Sequence, residues 1–162
     1  MDLRAYIGLG SNLGDSQANL DAACEALGAA DGVRVLKRSK TIRTDPQGGP
    51  SDQPDYWNAV LEIETELEAS ALLSLLHEIE ANNGRRREDE ERWGPRTLDM
   101  DLLVYGDVTS DTPELLLPHP RICERLFVLI PLAELAPEMW LPKFELSVAA
   151  ALSAARQAED AR

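Results

Sequence analysis

The chain has 162 residues, of which 44% are hydrophobic, and its formal net charge is −13. This length suits one globular domain with a single core, so we expect residues 1–162 to form one domain. The negative charge argues against a general nucleic-acid binder, which needs a basic face. No apolar run approaches the ~20 residues of a membrane-spanning helix.

The start of the chain and its cysteines indicate the compartment. The first residues lead directly into a strand-like segment, without the basic region and apolar stretch of a secretory signal. We therefore expect a cytoplasmic protein. Cys24 and Cys123 lie far apart and lack metal-ligand spacing. We expect reduced core thiols, although the sequence alone leaves a disulfide open.

The predicted elements alternate between strands and helices. Alternating apolar residues predict strands over 3–9, 33–41, 57–66 and 98–105. Helical spacing predicts helices over 16–30, with Ser16 as N-cap, and over 69–83 and 147–158, with 122–135 partly helical. Residues 45–55 are predicted to form a loop. This order is typical of an α+β ferredoxin-like sandwich, a mainly antiparallel sheet with helices packed on it.

The segment before and within the last long strand carries a concentration of charge. Five of the 16 basic residues are arginines between positions 85 and 96, and Asp99 and Asp101 follow. Residues two apart on a strand share a face, and paired carboxylates suit Mg²⁺ that keeps other positions for water and phosphate. Arginines bind phosphate oxygens bidentately. This favours a phosphoryl-transfer site, while a solvated strand edge with exposed arginines is the ordinary alternative.

Two further motifs give weaker signals. The glycines at 8, 10 and 14 do not have the spacing of a dinucleotide-binding turn, and they favour a tight turn between strand and helix. Tyr56 and Asn58 are predicted to share a face opposite Trp57. An aromatic ring beside a carboxamide suits a flat heterocycle with donor and acceptor edges, although an ordinary amphipathic strand has the same pattern.

Residues 92–103 resemble the signature of the hydroxymethyl-dihydropterin pyrophosphokinase family. Residues 5–14, 52–60 and 118–132 are similar to three more segments of that family, in the same order along the chain. The resemblance implies the ferredoxin-like fold with extra C-terminal elements. It also implies pyrophosphate transfer from ATP to the hydroxymethyl group of 6-hydroxymethyl-7,8-dihydropterin, with release of AMP in folate biosynthesis.

The same resemblance implies roles for individual residues. Asp99 and Asp101 would bind two Mg²⁺ ions with ATP, and they would act in catalysis together with Arg87 and Arg92. The residues implied for the pterin are Thr44, Tyr56, Asn58, Trp93 and Phe127. Those implied for ATP are Glu80, Arg85, Arg87, Arg92, Arg96, His119 and Arg125.

Two other functions remain open from the residues alone. A Mg²⁺-dependent phospho- or nucleotidyltransferase acting on another alcohol would use the same carboxylates and arginines, but not the pterin residues. The second alternative is a non-catalytic ferredoxin-like module that binds a ligand or RNA. It is disfavoured by the acidic charge and by the lack of an aromatic platform with basic neighbours. We expect a monomer that acts on small molecules, without nucleic acid or membrane.

Overall fold

The computed structural model describes residues 2–45, 54–83 and 97–161. A short 3₁₀ turn, Ile122–Glu124, precedes the third helix. The helices are α1 (Ser16–Ala29), α2 (Ala69–Asn82), α3 (Leu126–Leu135) and α4 (Val148–Asp160). The longer strands are β1 (Leu3–Ser11), β2 (Val33–Arg38), β3 (Ile42–Thr44), β4 (Tyr56–Thr65) and β5 (Asp99–Tyr105). The short strands are β6 (Ser110–Thr112), β7 (Leu115–Leu117), β8 (Trp140–Leu141) and β9 (Leu146–Ser147).

The main sheet has the strand order β2-β4-β1-β5, and each neighbouring pair is antiparallel. β3 pairs with the first residues of β4. The first strand therefore lies in the middle, and the strand after α2 lies beside it. This is the order of a ferredoxin-like sandwich, and the predicted fold class is confirmed.

Helices cover both faces of the sheet. One face buries Ile7, Leu61 and Met100 against the apolar residues of α1 and α2. The other face buries Tyr6 and Val60 against α3 and α4. Each fully buried aliphatic side chain contributes about 1.5–3 kcal/mol. The extra C-terminal elements are thus a second helical layer, and they leave the end of this face near Gly10 for polar residues.

The first helix begins one residue away from its predicted cap. Oδ1 of Asp15 accepts the N–H of Ala18 at 3.1 Å, so Asp15 is the N-cap and the prediction of Ser16 is wrong. Ser16 is instead the first helical residue, and its hydroxyl pairs with Ser11 at 3.1 Å. Both residue types cap helices, but a carboxylate also interacts favourably with the positive end of the helix dipole.

The predicted strand over 33–41 ends at Arg38 and resumes at Ile42. The side chain of Ser39 explains the interruption, because its Oγ accepts the N–H of Val60 at 2.8 Å. The next N–H, that of Lys40, donates to both oxygens of the Glu134 carboxylate in α3, at 3.2 and 3.1 Å. The N–H of Ser39 still donates to the carbonyl of Val60 at 2.9 Å, so side chains replace only part of the strand pairing at this point.

The two short hairpins, β6-β7 and β8-β9, were not predicted, since strands of two or three residues are too short to show alternation. Cys24 and Cys123 are free thiols, each packed at the margin of a different core cluster. In the parts of the chain that the structure describes, we find no helix with the length and apolar character needed to cross a membrane.

Candidate active site

Gly10 in the central strand leaves a shallow trough on the face of the sheet that α3 and α4 cover further along. Gly10 lies between Asn58 of β4 and Asp99 of β5. A Cβ atom at Gly10 would lie 3.2 Å from Oδ1 of Asn58 and 3.9 Å from Cβ of Asp99. These two side chains therefore flank Gly10 on one face. The predicted turn role applies only to Gly14, whose φ is +76°, whereas Gly8 and Gly10 lie inside the strand.

The two aspartates of β5 project into this trough. Asp99 and Asp101 are half-buried, whereas Met100 between them is 1% exposed and lies in the core on the opposite face. Alternation along a strand then directs both carboxylates to one side. Gly8, the partner of Asp101 in β1, has no side chain on that face, and Leu103 packs over it, with its Cδ2 3.4 Å from the position of a Cβ at Gly8.

His119 is held beside β5 by its own backbone and ring. Its N–H donates to the carbonyl of Leu103 at 2.8 Å, and its Nδ1 accepts the N–H of Arg121 at 3.2 Å. The ring proton of the neutral imidazole is therefore assigned to Nε2. Burial lowers the pKa of His119 to about 4, with the charges of Arg125 and Arg121 adding to the decrease and Asp99 opposing it. The ring is neutral at pH 7.

Arg125 brings a positive charge to the carboxylate pair. Burial lowers the pKa of its guanidinium, while the charges of Asp101 and Asp99 act in the opposite direction. The positive charge of Arg121 also lowers this pKa. Arg121 is not among the residues predicted for the site, although its position in the Pro-His-Pro-Arg run was the available signal. The structure thus places two carboxylates, one histidine and two arginines close enough to interact electrostatically.

Phe127, predicted to contact the pterin, lies at the start of α3. The guanidinium carbon of Arg125 lies 5.6 Å from the centroid of the Phe127 ring, a cation–π distance. The ring also packs at the margin of the core between the sheet and α4. The predicted ATP contact and the predicted pterin contact therefore touch each other.

The opposite flank of the trough is formed by β3 and β4. Asn58 is 6% exposed, and its Nδ2 donates to Oγ1 of Thr44 at 3.1 Å. Thr44 pairs with Tyr56 in the register of the two strands. Three of the residues predicted for the pterin therefore lie together, and one of them already orients another. This polar flank is neutral.

Glu80 has a contact other than the predicted one. Its side chain is 1% exposed, and Oε2 accepts the backbone N–H of Met100 at 2.8 Å. The carboxylate of α2 therefore reaches the strand that carries the two aspartates. A contact between Glu80 and the nucleotide stays a prediction.

Several predicted residues lie outside the described residues. They are Arg85, Arg87, Arg92, Trp93 and Arg96.

The carboxylate pair suits a magnesium ion bound together with a phosphorylated ligand. Within residues 2–45, 54–83 and 97–161, no group of three or more His, Cys, Asp or Glu side chains is arranged to hold a metal alone. Mg²⁺ is commonly bound by one or two carboxylates and completes its shell with water and phosphate oxygens. The carboxylate oxygens of Asp99 and Asp101 could bind Mg²⁺ in this way.

The chain is similar to known proteins of one family. The family model for 7,8-dihydro-6-hydroxymethylpterin-pyrophosphokinase matches residues 6–137. A relative from Methylorubrum extorquens, named 2-amino-4-hydroxy-6-hydroxymethyldihydropteridine pyrophosphokinase, is 48% identical over 136 residues, which cover 84% of each chain. A relative of the same name from Bacillus subtilis is 45% identical over 135 residues, covering 83% of this chain and 79% of that one.

Solved structures show the same fold. A crystal structure of HPPK-DHPS in complex with substrates matches with a TM-score of 0.78 and 11% identity, covering 100% of this chain and 45% of that chain. Plasmodium falciparum HPPK-DHPS with pteroate matches with a TM-score of 0.76 and 12% identity, covering 95% and 42%. The chain spans less than half the length of these solved chains. With its family-model match and its identity to the curated relatives, the chain belongs to the 7,8-dihydro-6-hydroxymethylpterin-pyrophosphokinase family.

Proposed function

We propose that this protein transfers pyrophosphate from ATP to the hydroxymethyl group of 6-hydroxymethyl-7,8-dihydropterin, releasing AMP, in folate biosynthesis. The observation that carries the proposal is the family match over residues 6–137, which spans both flanks of the trough. The hydroxymethyl oxygen would attack the β-phosphorus of ATP. The bond from that phosphorus to the α–β bridging oxygen would break, AMP would keep the oxygen, and the hydroxyl proton would be released.

The acceptor would be bound on the β4 flank. The hydrogen bond between Asn58 and Thr44 leaves the carboxamide oriented before any ligand arrives. A pterin ring has donors and acceptors along one edge, which a fixed carboxamide can match. Tyr56, Phe127 and Trp93 would supply the flat apolar contacts. Such positioning lowers the entropy that the reaction must lose.

The triphosphate would be bound on the β5 flank. Arg125 interacts electrostatically with both aspartates, and the ring of His119 interacts with Asp99. Because His119 is neutral, it would donate a hydrogen bond from Nε2 to a phosphate oxygen rather than contribute a charge. Arg85, Arg87, Arg92 and Arg96 would surround the same group, and Arg87 and Arg92 would stabilise the charge that develops during transfer.

Asp99 and Asp101 would hold magnesium, with two ions expected together with ATP. Bound there, magnesium neutralises charge on the phosphate groups and on the departing AMP. The aspartates would also keep Arg125 oriented toward the trough, since its guanidinium is attracted to both carboxylates.

The broader assignments follow the same reasoning. We propose that residues 1–162 form one pyrophosphokinase domain that works as a monomer in the cytoplasm on small molecules. The pairing of β1 with both β4 and β5 supports one unit, because the two flanks of the trough share that strand. The net charge of −13 supports small-molecule substrates over nucleic acid.

Product analysis tests the proposal. Protein, ATP, Mg²⁺ and the hydroxymethyl-dihydropterin are incubated, and the nucleotides are separated by chromatography. AMP that forms only when the pterin is present is the expected result. ADP would indicate an ordinary kinase that acts at the γ-phosphate, and it would overturn the proposal. Quenching of tryptophan fluorescence by the pterin, measured alongside, separates a pterin enzyme from a transferase acting on another alcohol.

A further inference from the structure

We propose that Glu80 is a positioning residue for the carboxylate pair. Its side chain would hold the backbone of Met100 and so fix the part of β5 from which Asp99 and Asp101 project. The inference rests on the proposed function, because it concerns the same reaction. It gives Glu80 a task different from the contact with ATP that the family resemblance implies.

The direction of one N–H group supports this task. Met100 lies opposite Leu9 of β1. Residues opposite each other in antiparallel strands alternate between pairs that bond to each other and pairs whose N–H groups point outward. The N–H of Met100 donates to Oε2 of Glu80 at 2.8 Å, so it points away from β1. Met100 therefore belongs to an outward-pointing pair.

β5 ends the strand order of the main sheet in the part of the chain that the structure describes. An outward N–H on such a strand needs a partner other than a neighbouring strand. Glu80, in the last turn of α2, supplies that partner from a carboxylate that is 1% exposed. The side chain thus substitutes for a strand at one residue.

The position of this contact matters for the two aspartates. Met100 is the residue between them, and its side chain is packed in the core on the other face. With the side chain packed and the N–H held, the backbone at Met100 is fixed from two directions. Mg²⁺ requires near-ideal octahedral geometry with oxygens at about 2.0–2.1 Å, so a small shift of either carboxylate weakens its binding.

Substitutions at Glu80 test the inference. E80A removes the acceptor, and E80Q keeps an oxygen at the same place without the charge. We expect E80A to raise the Mg²⁺ concentration needed for half-maximal rate about tenfold or more, and E80Q to raise it less. The KM for ATP at saturating Mg²⁺ should change less than threefold in both. E78A is the matched control, because Glu78 is exposed on the same helix, and it should match the wild type.

A second readout does not depend on turnover. Mn²⁺ binding in the presence of a non-hydrolysable ATP analogue, followed by electron paramagnetic resonance, should weaken in the same order, from E78A through E80Q to E80A. If E80A does not fold, E80D replaces it. The aspartate withdraws the carboxylate by one methylene group and should resemble E80A in its metal requirement.

Each other outcome contradicts the positioning role. An equal rise in the KM for ATP in E80A and E80Q, with an unchanged metal requirement, would mean that Glu80 contacts the nucleotide through its charge. Wild-type metal binding in a folded E80A or E80D would mean that the contact with Met100 is only structural. The proposed function is tested separately, because AMP formation by the wild-type protein does not depend on these variants.

Discussion

The two flanks of the trough at Gly10 differ in charge and in whether their polar groups are already hydrogen-bonded before a ligand binds. On the β4 flank, Asn58 is nearly buried, neutral and already bonded to Thr44. On the β5 flank, half-buried carboxylates face Arg125 and His119. Burial lowers the pKa of both Arg125 and His119, and a neighbouring arginine lowers each of them further. A neutral heterocycle can be recognised by a side chain such as Asn58, which the folded protein already holds in one orientation. A triphosphate needs charges whose mutual repulsion is relieved when the ligand binds.

This difference predicts that changes on the β5 flank reduce catalysis most, whereas changes on the β4 flank reduce pterin binding and stability.

The largest effect should follow the loss of one carboxylate. D99A or D101A should lower turnover roughly a thousandfold, because several kcal/mol of electrostatic stabilisation are lost. Pterin binding, followed by fluorescence quenching, should change less than threefold. D107A, in an exposed turn after β5, is the control. Near-normal turnover in D99A and D101A would rule out the metal assignment.

The next effect concerns the trough itself. In G10A the new Cβ would lie 3.2 Å from Oδ1 of Asn58, so the carboxamide must move. We expect the KM for the pterin to rise about tenfold, a change of about 1.4 kcal/mol, while the KM for ATP changes little.

G28A is the matched control for a glycine-to-alanine change. Its Cβ would lie 3.6 Å from Cγ2 of Val35, an ordinary contact, on the exposed side of α1. Alanine should stabilise that helix by up to about 1 kcal/mol in urea unfolding. An unchanged KM for the pterin in G10A would mean that Asn58 does not bind it.

A change in stability, without a comparable loss of turnover, should follow the loss of one hydrogen bond on the β4 flank. T44V replaces the hydroxyl by a methyl group and leaves Nδ2 of Asn58 without Thr44 as its acceptor. Unfolding in urea should show a loss of about 1–3 kcal/mol, the cost of an unsatisfied buried donor. T109V, in an exposed loop, should be neutral. Equal stability of T44V and the wild type would show that the hydrogen bond does not order this flank.

The last effect appears only when the pH is lowered. The pKa of His119 is about 4 in the folded protein, below the usual 6.5, because burial disfavours its charged form. The unfolded chain therefore binds more protons between these values, so this residue's contribution to stability is complete above pH 6.5 and falls as pH decreases toward 4. Its slope is at most about 1.4 kcal/mol per pH unit.

H119N isolates this contribution. Unfolding free energies are measured in urea between pH 4 and 8, without ATP or metal. The wild-type curve should fall more steeply than the H119N curve between pH 6.5 and 4, and the two should run parallel above pH 7. Parallel curves throughout would contradict a neutral, buried imidazole.

Local patterns predicted the elements that are long and regular. The alternation around Asp99, Met100 and Asp101 predicted which side chains share a face, and the structure shows that arrangement. The order of strands and helices predicted the fold class. The choice between Asp15 and Ser16 as helix cap was missed, since either residue can cap and the backbone decides.

Contacts between residues far apart in the sequence could not be predicted from local patterns. Glu134 binds the N–H of Lys40, 94 residues earlier, and Glu80 binds that of Met100, 20 residues later. A glutamate in a helix gives no sign of which backbone group it will reach. The cluster of Arg121, Arg125 and His119 with the aspartates likewise depends on how the segment after β7 folds back on β5.

The lack of a side chain at Gly10 of β1 affects how the substrate specificity of this site can evolve. Gly10 gives the middle of the trough no side chain, so recognition is divided between strands about 10 Å apart, on either side of β1. Substitutions at that separation, without shared partners, usually combine additively. Variants of β4 that accept an altered ring and variants of β5 that accept an altered phosphate donor should therefore be selectable independently and then joined in one chain.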